Sequence, residues 1–98
     1  MLHVVVLTHG PDTCAAAHEE YGKMARESMN LRDEMSKKHG VTLQGAWVDA
    51  PAHTIYLLAD APNAHVVNAL MADLKYYLWN TVDIHPVVTL EEAMKLVK

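Results

Sequence analysis

The run Leu2 to Thr8 (LHVVVLT) is aliphatic and β-branched, and His9-Gly10-Pro11 closes it. From Asp12 to Ala50 the chain then carries no proline. A short apolar run ended by Gly-Pro reads as a largely buried strand. Asp12 or Thr13 can cap the helix that follows, which runs to about His39 with Gly40 as its stop. Its apolar stripe is Ala17, Tyr21, Met24, Ser28, Leu31 and Met35, in alternating steps of four and three. A strand that feeds a long amphipathic helix needs a sheet for that helix to cover.

The rest of the chain supplies the sheet. Val41 to Asp49 and Thr54 to Asp60 read as two strands joined by the hairpin loop Ala50-Pro51-Ala52-His53, with Pro51 kept out of the ladder. Asp60-Ala61-Pro62-Asn63 opens a second helix, whose stripe is Val66, Val67, Leu70, Met71, Leu74 and Leu78. Trp79 to Val88 contains a fourth strand, and Pro86 marks it as an edge or a bulge. Thr89-Leu90-Glu91-Glu92 has capping-box spacing and begins a last short helix ending at Lys98.

The expected fold is therefore α+β: a ferredoxin-like βαββαβ antiparallel sheet with a short C-terminal helix, forming a single domain over residues 1–98. Right-handed crossovers place the first strand between the third and fourth. The strands are apolar on both sides for much of their length. A homodimer that packs sheet on sheet is the simplest cover for the face the helices leave open.

Composition narrows the partners. A formal charge of −4 argues against a nucleic-acid surface, and Lys37-Lys38-His39 falls where cations favour a helix C-terminus. The single cysteine excludes an internal disulfide and fits a reduced, cytoplasmic setting. The first apolar run lacks a basic leader, so no signal peptide is expected. No run approaches the ~20 apolar residues of a membrane helix, so no membrane partner is expected.

Several segments resemble a known family. Gly45-Ala46-Trp47-Val48-Asp49, Ala59-Asp60-Ala61-Pro62-Asn63 and Val87-Val88-Thr89-Leu90-Glu91-Glu92-Ala93, set in the βαββαβ order, resemble the dimeric α/β-barrel superfamily. They are most similar to its short bacterial and archaeal members with no assigned function. The resemblance implies two sheets packed across a dyad. In enzymatic members, such as cofactor-free monooxygenases and muconolactone isomerases, it also implies a ligand cavity between each sheet and its helices. The first strand carries no Asn, so the Asn, Trp and His set of haem-degrading members is not reproduced.

Strand parity gives the positional expectation for chemistry. Leu2, Val4, Val6 and Thr8 share one face and His3, Val5, Leu7 and His9 the other. On the fourth strand Val82, Ile84 and Val88 oppose Thr81, Asp83 and His85. The wholly apolar sets are expected against the helices, which leaves His3, His9, Asp83 and His85 together on the dimer side. Topology also brings His53 and Asp83 to the His9 end, with Cys14, His85 and His18 close by.

Two functional classes follow, beside a purely structural dimer or assembly subunit. One is a small-molecule-binding barrel, a cofactor-independent oxygenase or isomerase acting on an apolar carbonyl-bearing substrate. There His9 or His85 is the base, Asp83 orients it, and Trp47, Tyr56 and Trp79 can line the pocket. The other is a metal-binding or redox-sensing module on His9, Cys14, His18 and His53, with Cys14 and His18 spaced i, i+4. Imidazole, thiolate and carboxylate suit zinc or another transition ion; the first class needs no cofactor.

Overall fold

The computed structural model describes residues 1–98. Strand β1 (Leu2–Thr8) leads through a 3-10 turn at Pro11–Thr13 to helix α1 (Glu19–His39). β2 (Thr42–Asp49) and β3 (Thr54–Asp60) form a hairpin, followed by α2 (Ala64–Asp73) and a second 3-10 turn at Tyr76–Leu78. β4 (Thr81–Val87) and the short α3 (Leu90–Met94) complete the chain. Every strand pair is antiparallel and the sheet order is β2-β3-β1-β4. This is the ferredoxin-like α+β arrangement, with β1 central as right-handed crossovers require. No helix is long and apolar enough to cross a membrane.

The helix ends follow local chemistry. Gly40 stops α1 at φ 67°, a left-handed conformation that glycine adopts without a Cβ penalty. Asn63 caps α2 by accepting the Val66 N–H at 3.0 Å, and the Thr89 hydroxyl accepts the Glu92 N–H at 3.1 Å to open α3.

The start of α1 differs from the expected cap at Asp12 or Thr13. The Thr13 hydroxyl instead donates to the Trp79 carbonyl at 3.0 Å, and Cys14 is extended with ψ 125°. Residues 15–17 then turn across the first turns of α1. The Ala15 carbonyl comes so close to Gly22 that a Cβ there would lie 2.9 Å from its oxygen. Three alanines favour helix in isolation, but tertiary contacts override that preference here.

The sheet face that meets the helices also differs from expectation. His3, Val5 and Leu7 are fully buried, while Leu2, Val4 and Val6 are only partly so. Because β1 is aliphatic at both parities, alternation alone does not mark its inner side. Its neighbours do. Val5 pairs with Leu57 and Ile84, and Leu7 with Ile55 and Val82, which makes rows that are aliphatic on three strands. The opposite rows, Leu58–Val4–His85 and Tyr56–Val6–Asp83, mix polar groups in. Burying the aliphatic rows under Val67, Leu70 and Met71 of α2 is the larger gain, at about 1.5–3 kcal/mol per side chain.

His3 is carried into the core by this choice, and neither of its ring nitrogens has a hydrogen-bond partner. Pro86 lies on the edge strand β4, whose pairing runs from Leu2–Val87 to Thr8–Thr81 without a shift. The sheet's irregularity falls in β2 instead, between Leu43 and Gly45.

Candidate functional site

Beyond Thr8 the inner-face parity of His3, Val5 and Leu7 continues to His9. The His9 backbone N–H donates to the His53 carbonyl at 3.2 Å, which extends the pairing of β1 with the hairpin by one residue. His53 itself occupies the left-handed region at φ 51°, uncommon for a residue with a Cβ although histidine enters it more readily than most. The Asp49 carboxylate braces the same loop by accepting the Ala52 N–H at 3.2 Å. Cys14 arrives from the other side, at the end of the first 3-10 turn.

These elements bring one ring nitrogen each from His9 and His53 and the Cys14 sulfur within 4.8 Å of one another. All three side chains are half-buried, and they line one end of a cavity of about 370 Å³. Its remaining wall is largely apolar, with Ala15, Ala25, Val48, Ile55 and Trp79 prominent. Trp79 is almost fully buried, its ring 5.3 Å from His9, and its indole N–H has no acceptor. The His9 and His53 rings meet edge to face at 5.3 Å.

A hydrogen-bond chain fixes the His9 ring. Asn80 is buried, and its amide N–H donates to the Tyr76 carbonyl at 3.3 Å. That carbonyl only accepts, so the Asn80 oxygen is the end turned to His9. It accepts from His9 Nδ1 at 2.9 Å. Nδ1 therefore carries the hydrogen, and in the neutral ring Nε2 keeps the lone pair.

The other sequence candidates are placed elsewhere. His18 is the residue before α1 rather than part of a shared helical face with Cys14, because the helix starts late. Its Nε2–H donates to the Pro11 carbonyl at 2.9 Å and its ring stands edge-on to Tyr21. Asp83 and His85 share the outer sheet face with Val4 and Val6, opposite in parity to His9. They do not converge with it, because β1 presents its histidines inward. Trp47 and Tyr56 form a cross-strand pair on that same outer face, 59% and 39% exposed, while their sequence neighbours Val48 and Ile55 line the cavity.

Sequence reasoning missed Asn80. Between Trp79 and Thr81 it reads as an ordinary turn residue. Only the packing of the second 3-10 turn reveals its bond to His9.

Fold and site together define a ferredoxin-like domain with an apolar cavity that ends in a His, Cys, His cluster. Residues 1–98 match the family described as a domain of unknown function, DUF3303. The chain belongs to that family. No curated protein matches it.

Proposed function

We propose that the domain binds a small, largely apolar molecule in this cavity and works as a homodimer. The cavity carries the reading: its volume of about 370 Å³ lies in the range of small-ligand sites, and its polar groups sit at one end. A ligand with one polar end suits that distribution.

Among the enzymatic possibilities, placement favours chemistry at His9 over an Asp83–His85 acid–base pair. The pair faces away from the cavity, whereas His9 has its tautomer set by Asn80. The homodimer is supported by the outer sheet face, where Leu2, Val4, Val6 and Leu58 are half-buried beside exposed Trp47 and Tyr56. A second copy laid on this face gives the two-sheet arrangement of the dimeric α/β-barrel superfamily that the sequence resembles. The exposed apolar residues of the C-terminal segment, Leu90, Met94 and Leu96, also suit a partner subunit. A reducing cytoplasm, which keeps Cys14 a free thiol, fits the same reading.

Trp79 fluorescence tests the binding in a Trp47→Phe background. Short alkyl phenols and ketones are expected to change the emission and raise the melting temperature, and Ala25→Leu, which fills the cavity from α1, to abolish both effects. Binding unchanged by Ala25→Leu, or no probe that perturbs Trp79, would contradict the cavity as the ligand site.

A further inference from the structure

The geometry points to a mononuclear transition-metal site formed by His9, Cys14 and His53, with one coordination position left open towards the apolar cavity. The donor set is the first reason. Two neutral imidazoles and a thiolate form the nitrogen–sulfur environment that zinc and its borderline neighbours prefer over calcium or magnesium. Three protein donors with a fourth position free is the pattern of catalytic rather than structural zinc.

The spacing is the second reason. A tetrahedral ion with bonds of about 2.0–2.3 Å draws its donors to roughly 3.5 Å apart. The three donor atoms already lie within 4.8 Å of one another, so side-chain rotation of about an ångström closes the set. They come from three separate segments, the end of β1, the first 3-10 turn and the β2–β3 loop. Local sequence spacing alone does not produce such a meeting.

Asn80 is the third reason. A metal-bound histidine usually gives its other ring N–H to an oxygen acceptor, which fixes the ring and raises its basicity. His9 has this arrangement before any ion arrives: Nδ1–H is held by the buried Asn80, leaving Nε2 to ligate. Asn80 is thus a positioning residue. With a divalent ion, the thiolate and two neutral rings leave the centre one positive charge. It would accept an oxygen or sulfur donor at the polar end of the cavity's ligand, such as a phenol, an alcohol or a thiol. That last step rests on the cavity reading above; the ion's binding does not.

Titration of the metal-free full-length chain with Co²⁺ tests the site. One Co²⁺ per chain is expected, with the visible absorption of tetrahedral cobalt and a near-ultraviolet thiolate-to-cobalt band, both lost when Zn²⁺ displaces it. Cys14→Ser should remove the near-ultraviolet band. His53→Asn removes one donor while asparagine still tolerates the left-handed backbone, and should weaken binding at least about tenfold. His65→Ala, on the exposed side of α2, should bind as the parent does. Circular dichroism confirms that each variant is folded.

No cobalt spectrum in the folded parent, or a spectrum that survives both Cys14→Ser and His53→Asn, would overturn the site. Failure of cobalt binding while phenols still perturb Trp79 removes the metal and leaves the cavity reading. Cobalt binding without any phenol effect supports the metal and removes the cavity reading.

Discussion

His9 and Asn80 lie 71 positions apart, and a 2.9 Å hydrogen bond from the His9 ring to the Asn80 carboxamide ties the end of β1 to the start of β4. The bond links fold to site. The turn that buries Asn80 against the Tyr76 carbonyl also decides which His9 nitrogen faces away from it.

Replacing Asn80 by alanine should therefore have two separable effects. Loss of its hydrogen bonds should lower stability by about 1–2 kcal/mol in urea unfolding. Loss of the ring's anchor should weaken Co²⁺ binding by about 10–100-fold. Asn80→Asp keeps the acceptor for Nδ1–H and should recover most of the cobalt affinity. If Asn80→Asp binds no better than Asn80→Ala, the positioning role fails.

His3 should be replaceable with profit. Its imidazole is fully buried on the inner face and neither nitrogen is bonded, a desolvation cost of about 1–3 kcal/mol. His3→Leu puts an apolar side chain of similar size between Ala59 and Pro86. A rise in stability of about 1 kcal/mol by urea unfolding is expected. A fall would show that the imidazole has a partner in solution.

Acid should loosen the contact between the ends of the two long helices. The Asp73 carboxylate accepts from His39 Nε2 at 2.6 Å and lies 3.6 Å from the Lys38 ammonium. The His39 hydrogen bond is the main cause that holds its pKa below the usual 3.8. A carboxyl whose pKa is lowered by folding stabilises the fold above its unfolded pKa, and that contribution disappears as pH falls through the folded value. Melting temperatures of wild type and Asp73→Asn should thus differ at neutral pH and converge below about pH 3.8. A constant gap down to strong acid would contradict the pairing.

The outer sheet face offers a test of the homodimer. Val4 lies on the central strand, between Leu58 and His85. Val4→Asp should turn a dimer into a folded monomer in sedimentation velocity, because a buried unpaired carboxylate is costly. A wild-type protein that already sediments as a monomer would dismiss the dimer.

Much of the fold was legible because its signals are local. Gly40, Asn63 and Thr89 mark helix ends through capping chemistry that is complete within a few residues. Hydrophobic period separates the helices from the strands. What the sequence concealed was relational. The aliphatic residues at both parities of β1 hide the inner face, so strand parity alone sets His9 beside Asp83 and His85, which pair instead with Val6 and Val4 on the outer face. The helix-favouring alanines 15–17 concealed that Cys14 precedes α1, which removes the expected Cys14–His18 pair. The meeting of His9 and His53 at one end, with Cys14 close by, was legible from strand direction, although strand direction sets Asp83 there as well. Asn80 was not, since nothing in a Trp-Asn-Thr turn announces a partner in β1.

The most direct test is zinc-edge anomalous diffraction from crystals of the full chain soaked in Zn²⁺. The expected result is one strong peak per chain, about 2.0–2.3 Å from the Cys14 sulfur and from a ring nitrogen each of His9 and His53, with open space towards Trp79. Zinc held instead by His85 and Asp83, or by His18 or His39, with nothing between the three cavity side chains, would contradict it.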